Sequence, residues 1–210
     1  MNYNLKSHWE KIYDEKKEYE VSWFQKETNE SIKMIHNAEI ENPKIIDVGS
    51  GRSKLLKNLI EIGYNHLTYL DISESALEKS KEFLGEQSNK VRWIAEDILN
   101  FKTDEKFDIW HDRAVFHFLN EENLIKKYVK IVEKNISESG HLIIGTFSEN
   151  GPLKCSGLEV RRYSKKVIEK LFNKSFKLID SFYYNHVTPF NTTQNFLFSH
   201  FVKKRFFHNE

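Results

Sequence analysis

The stretch "NPKIIDVGSGRSKLLKNLI", Asn42 to Ile60, decides how the rest of the chain is read. After Pro43, "KIIDV" reads as a strand, and Gly49 and Gly51 then allow a sharp turn with close backbone approach because neither carries a Cβ. Leu55, Leu56, Leu59 and Ile60 recur at helical spacing until Gly63 stops them, so strand, glycine turn and helix follow in order. A turn of this kind often receives a pyrophosphate. The dinucleotide fingerprint, however, needs a third glycine three residues beyond the second, and Lys54 stands there. Asp47, at the end of the strand, would also face a pyrophosphate with like charge across a low-dielectric cleft. A cationic ligand suits this turn better.

Outward from the turn the pattern alternates. "HLTYLDI" is a strand, Ser73 caps a helix that ends at Gly85, and "VRWIAED" and "KFDIWHD" are further strands. Asn120 opens a helix carrying Leu124, Tyr128, Ile131 and Val132, and "GHLIIGTF" follows as a short apolar strand. Strands alternating with helices predict a parallel sheet covered on both faces. Beyond it lie a helix on Val167, Ile168, Leu171 and Phe172 and two aromatic-rich strands, "FKLIDSFYYNHV" and "QNFLFSHFVKK", joined by "TPFNTT" as a hairpin. Ahead of the sheet, Ser7 and Glu10 have capping-box spacing and Thr28 can cap a helix on Ile32, Ile35 and Ala38. The expected fold class is α/β: a doubly wound, Rossmann-like, mostly parallel seven-stranded sheet ending in an antiparallel hairpin, with N-terminal helices. One domain is expected over 1–210, with a helical lid at 1–42, a cofactor-binding core at 43–150 and a C-terminal helix and hairpin at 151–210.

Composition narrows the partners. Lysine plus arginine number 32 against 31 acids, a net charge of +1, which is not the field of a chain that grips a phosphate backbone, so no nucleic-acid partner is expected. Cys155 is the sole cysteine, and no Cys/His cluster has zinc-ligand spacing, so the expectation is a cytoplasmic protein without a metal. No apolar run approaches the roughly 18 residues of a membrane span.

Acids also close the next two strands. Asp71 in "YLDIS" can take both hydroxyls of a ribose, and Asp97 in "IAEDI" can accept from an adenine amino group while Ile72 and Ile98 flank the ring. Asp at a strand end is often a turn former, but three at successive ends around an Asp-x-Gly-x-Gly turn form a pattern. S-adenosylmethionine, with an ammonium, a sulfonium and no phosphate, matches these charges. The chain resembles class I S-adenosylmethionine-dependent methyltransferases over nearly its whole length. It is similar in particular to a small bacterial group with "VSWFQ" (Val21–Gln25), "WHDRAVFHFL" (Trp110–Leu119) and "GPLKCSGLEVRRYS" (Gly151–Ser164). The resemblance implies that Asp47, Gly49 and Gly51 hold the methionine end of the cofactor, Asp71 the ribose and Asp97 the adenine. His111, at the mouth of the fourth strand, is expected to border the cofactor as well, or simply to end that strand. A more distant likeness to lysine methyltransferases of elongation factors lies in "HWEKIY" and in Asp112, but those enzymes have Asp-Lys-Gly-Thr where this chain has Asp-Arg-Ala-Val.

Methyl transfer from a sulfonium needs an acceptor held in line and water kept out, and a nearby imidazole or carboxylate can take a proton. Asp112 and His117 are the expected catalytic candidates, with Trp23, Asp112, Arg113, His117 and Arg161 on the substrate side. Each has a plainer alternative: Asp112 paired with Arg113, His117 packed in the core, Arg161 and Arg162 solvated. Trp9, Tyr13, Trp23 and Phe24 form an aromatic lid over the cofactor, a cage for a cationic acceptor, or packing of a helix onto the sheet. Cys155 is either reactive or an inert buried thiol, and His186, Thr188 and Gln194 flank the hairpin turn without an assigned role. A small-molecule acceptor is expected first and a protein lysine second; a non-catalytic scaffold would be expected to have lost some of the acids or glycines.

Overall fold

The computed structural model describes residues 5–52 and 54–205. Its main sheet contains β1 (Lys44–Val48), β2 (His66–Asp71), β3 (Val91–Ala95), β4 (Phe107–Arg113), β5 (Ile136–Phe147), β8 (Phe176–Val187) and β9 (Thr193–Lys203), in the order β3-β2-β1-β4-β5-β9-β8. Neighbours from β3 to β5 are parallel, and β9 enters antiparallel between β5 and β8. This is the doubly wound sheet expected, with its antiparallel end. Strand order reverses between β1 and β4, so the ligand crevice of such a sheet lies outside the carboxyl ends of these two strands.

Six helices accompany the strands among the described residues: α1 (Leu5–Glu15), α2 (Asn29–His36), α3 (Lys54–Glu61), α4 (Glu74–Leu84), α5 (Glu122–Asn135) and α6 (Lys165–Phe172). A separate two-stranded hairpin pairs β6 (Lys154–Cys155) with β7 (Leu158–Glu159). Apolar side chains fill both faces of the sheet. Trp110, Phe116, Tyr128, Phe172 and Phe201 belong to one buried cluster, and Leu56, Leu59, Ile109, Ile143 and Phe198 to the other. Full burial of each such side chain contributes roughly 1.5–3 kcal/mol, which is why these strands are apolar on both sides.

Local chemistry sets most boundaries. Ser73 Oγ accepts from Ala76 N at 3.0 Å to start α4, and Gly85 leaves it at φ +56°. Several expectations need correction. Ser7 lies inside α1, which is already helical at Leu5, so no capping box forms there. Glu10 caps a different helix: its carboxylate accepts from Glu74 N at 2.8 Å, Ser75 N at 3.0 Å and Ser73 Oγ at 2.8 Å, at the start of α4. Thr28 precedes α2 but makes no side-chain cap; its hydroxyl accepts from Asn58 Nδ2 at 3.0 Å. The helix expected from Asn120 begins after Glu121, and β5 starts at Ile136 rather than near Gly140. The polar residues there join the strand because Ser137 Oγ donates to Asp108 Oδ1 on β4 at 2.8 Å. Val167 is exposed, leaving Ile168 and Phe172 to bury α6. No helix among the described residues is long and apolar enough to cross a membrane.

Candidate active site

The glycine turn after β1 is the floor of the crevice. Gly49 and Gly51 stand at φ +66° and +56°, the left-handed region that side chains with a Cβ avoid. Gly49 N donates to Leu70 O at 2.7 Å, while Gly51 O accepts from Ser80 Oγ at 2.6 Å and Tyr69 Oη at 3.0 Å, so the turn is fastened to β2 and α4. A Cβ on Gly49 would lie 1.9 Å from Val115 Cγ2, and one on Gly51 2.5 Å from Tyr13 Oη. Any side chain here would fill the space between the turn and its cover.

The acids converge on that floor. Asp47 Oδ1 lies 2.7 Å from His111 Nδ1, and Asp47 Oδ2 accepts from Ser50 Oγ at 2.5 Å. His111 Nε2 in turn meets Ser31 Oγ of α2 at 2.9 Å, so the imidazole bridges a helix and the carboxylate. Asp71 accepts from Gly51 N and Ser73 N, each at 2.9 Å, and burial pushes its carboxyl up to about 6 against the pull of those two donors. Asp97, two residues past β3, accepts from Leu99 N at 2.8 Å. Asp47, Gly49, Gly51, Asp71, Ile72, Asp97, Ile98 and His111 all line a single cleft. Trp9, Tyr13, Trp23 and Phe24 line it as well.

The cover is tied to the floor. Arg52 Nη2 donates to the carbonyls of Tyr13 at 2.7 Å and Lys16 at 2.6 Å, and Lys79 Nζ also donates to Tyr13 O, so the end of α1 is anchored on the glycine turn and α4. Lys54 lies 3.6 Å from Glu18 Oε1 and 4.3 Å from the centre of the Phe24 ring. Its charge is therefore engaged with the cover rather than with the turn.

On the acceptor side the expected residues separate. Successive residues of a strand point to opposite faces. His111 and Arg113 of β4 line the cleft; Asp112, between them, points to the other face. There Asp112 accepts from Tyr128 Oη at 2.5 Å, Val115 N at 2.9 Å and Phe116 N at 3.3 Å, and burial raises its carboxyl to about 6. It does not line the cleft, and its oxygens fasten α5 and the turn after β4. His117 is also enclosed: its Nδ1 accepts from Phe147 N at 3.2 Å, and burial, with the Arg113 charge, lowers it to about 3, so it stays neutral. The packed-core alternative describes its position. Arg161 pairs with Glu122 at 2.5 Å outside the cleft, and Arg162 Nη1 donates to Gly151 O at 3.3 Å.

Trp23 and Arg113 do meet at the cleft. Arg113 Nη1 donates to Trp23 O at 3.1 Å, and the guanidinium sits 4.9 Å from the centre of the Phe196 ring. Burial lowers Arg113 to about 10, which leaves it a cation at neutral pH. Cys155 lines the same cleft, its thiol pushed up to about 11 by burial and therefore protonated. His186 Nε2 lies 2.8 Å from Ser22 O, Thr188 Oγ1 organises the hairpin turn, and neither borders the cleft. Ser31 carries no sequence signal that marks it, yet it holds His111; Glu10, marked only as a cap for its own helix, anchors the cover, and Gln25, the last residue of "VSWFQ", lines the cleft.

A family model described as a methyltransferase domain matches residues 40–194, which includes every strand end that builds this cleft. The chain belongs to the methyltransferase domain family. EEF1A lysine methyltransferase 2 of Homo sapiens is 27% identical over 155 residues, covering 66% of this chain and 66% of that protein, so the chain spans about two thirds of that relative's length. Among solved structures, the N-methyltransferase NodS of Bradyrhizobium japonicum in complex with S-adenosyl-L-homocysteine matches at a TM-score of 0.69 and 15% identity, over 95% of this chain and 98% of that one. The 1,6-didemethyltoxoflavin N1-methyltransferase of Burkholderia thailandensis matches at 0.68 and 18%, over 83% and 76%. Both structural likenesses are of fold. Among the described residues no group of three or more His, Cys, Asp or Glu side chains could hold a metal ion.

Proposed function

We propose that this protein is an S-adenosylmethionine-dependent methyltransferase acting on a small-molecule acceptor. One observation carries the reading: Asp47, Gly49, Gly51, Asp71 and Asp97 line one cleft beside the point where strand order reverses. These residues fit the cofactor. Carboxylates in a low-dielectric cleft favour a ligand with an ammonium and a sulfonium and oppose one with phosphates. Asp47, held by His111 and Ser50, would hold the methionine end together with Gly49 and Gly51; Asp71 would take the ribose, and Asp97, with Ile72 and Ile98, the adenine. When bound, the cofactor supplies an electrophilic methyl group on sulfur.

The chain's own contribution is positioning and exclusion of water. The aromatic cover of Trp9, Tyr13, Trp23 and Phe24 closes the cleft, and Arg113 presents a cation on the acceptor side. Both nitrogens of His111 are engaged, with Asp47 and Ser31, so this imidazole serves to fix the carboxylate. A small-molecule acceptor is supported by the 1,6-didemethyltoxoflavin N1-methyltransferase among the structural matches, which was solved with bound 1,6-didemethyltoxoflavin. The human relative supports protein lysine as the second reading. Arg113-Ala114-Val115 in place of Lys-Gly-Thr argues against it.

Calorimetric titration with S-adenosylmethionine and with NAD tests the cofactor, and heat with NAD alone overturns the reading. Incubation with labelled cofactor and either a metabolite extract or extract protein tests the acceptor class. Label confined to macromolecules would reverse the order of the two acceptors.

A further inference from the structure

We propose that Arg113 and Gln25 form an anion subsite in the cleft, and that the acceptor is a small molecule with an apolar body and a carboxylate; this rests on the methyltransferase reading. Arg113 spends one nitrogen, Nη1, on the Trp23 carbonyl. Its Nε and Nη2 are shielded from solvent and have no hydrogen-bond partner among the described residues, and the same holds for Gln25 Nε2. Trp23, whose carbonyl takes that bond, stands two residues from Gln25 in the chain, and Arg113, Trp23 and Gln25 all line the cleft.

A guanidinium removed from water costs free energy unless an anion or a set of acceptors compensates it. The Phe196 ring offers a cation–π contact but no acceptor for the N–H groups. The groups whose charge reaches Arg113 are Cys155, Tyr184, Glu30 and Asp47; burial raises Cys155 and Tyr184 so that both stay protonated at neutral pH, Glu30 bonds the Tyr184 hydroxyl, and Asp47 is engaged with His111 and Ser50. A ligand carboxylate, with two oxygens matched to the Nε and Nη2 fork, supplies what the protein lacks. Its body would lie against Trp9, Trp23 and Phe118, which line the same cleft. The charge also sorts acceptors: a lysine ammonium would meet like charge at Arg113, whereas a carboxylate is attracted and is already ionised at neutral pH.

The test is calorimetry on the intact protein saturated with S-adenosyl-L-homocysteine, titrated with benzoate and phenylacetate and with their amides, benzamide and phenylacetamide. The acids are expected to bind at least about tenfold more tightly than the amides, the size of one charge-assisted bond. Arg113→Gln should remove that preference and Arg113→Lys keep part of it, since lysine retains the charge but not the fork. If Arg113→Gln does not fold, Gln25→Ala decides: it should weaken the acids several-fold, about the loss of a single donor, and leave the amides alone. Equal affinity for acid and amide, no binding of either acid, a preference that survives Arg113→Gln, or acid affinity unchanged by Gln25→Ala overturns the proposal. The homocysteine derivative's own heat, recorded first, separates the two readings. Its absence removes the methyltransferase reading, whereas its presence without an acid preference removes only the anion subsite.

Discussion

On the glycine-turn side of the cleft, Asp47 is closed by His111 and Ser50, and Asp71 by two backbone N–H groups. Across the cleft, Arg113 and Gln25 keep donors with no partner among the described residues. The two carboxylates of the first side are therefore engaged by folding alone, although Arg52 Nε beside Gly51 also lacks a partner among the described residues. The second carries a desolvation cost that only a ligand can offset. Under the proposals above, the first half would take the cofactor and the second a complementary anion of the acceptor.

The largest effect should come from breaking the finished side. Gly49→Ala puts a Cβ onto Val115 in a left-handed backbone, with roughly 1–2 kcal/mol from the conformation and about 1–3 kcal/mol from the overlap. S-adenosyl-L-homocysteine affinity measured by calorimetry should fall at least about thirtyfold, the lower end of that sum. Asp71→Asn comes next, with a loss of about 1–3 kcal/mol in the same measurement. Because burial holds the Asp71 carboxyl at about 6, wild-type affinity should decline as pH drops below about 6, a decline that Asp71→Asn should not show. A flat wild-type profile would mean that the ribose sits elsewhere.

A smaller effect lies in the β5–β9 half, away from the cleft. His141 Nδ1 and His200 Nε2 are 2.7 Å apart, and burial, then the His141 charge, lowers His200 to about 4. Its contribution to stability is present above the unfolded value near 6.5 and is lost as pH falls through the window down to about 4. Asp71 and Asp112, both raised to about 6, act in the opposite direction as pH falls, so the comparison must be with a variant. Between about pH 7.5 and about pH 5 the stability advantage of wild type over His200→Gln should shrink by on the order of 1–2 kcal/mol, read from urea midpoints. At the bottom of the scale, Arg161→Ala breaks an exposed ion pair outside the cleft and should change neither cofactor affinity nor the preference for acids.

Much of the finished side was legible in the sequence because its determinants are local. A strand, two glycines and an acid at each strand end follow from short patterns, and the alternation of elements fixes the sheet. The acceptor side was read less well. Asp112 stands beside the right strand end but on the wrong face, and the two-residue alternation that places His111 and Arg113 in the cleft already implied this. His117 follows β4 by sequence, yet its neighbours Phe118 and Phe147 enclose it. Glu10, with the spacing of a cap for its own helix, caps α4 instead, because a carboxylate serves whichever helix N-terminus the fold brings near. No local pattern announces a partner that lies 64 residues away.

The burial of Cys155 has a practical consequence. With its sole thiol covered and held in the protonated form, the native protein offers little background to maleimide reagents. A fluorophore attached through Lys11→Cys, on the exposed side of α1, would therefore report from one place only, and an unchanged signal on adding S-adenosyl-L-homocysteine would mean that the cover stays where Arg52 and Lys79 hold it.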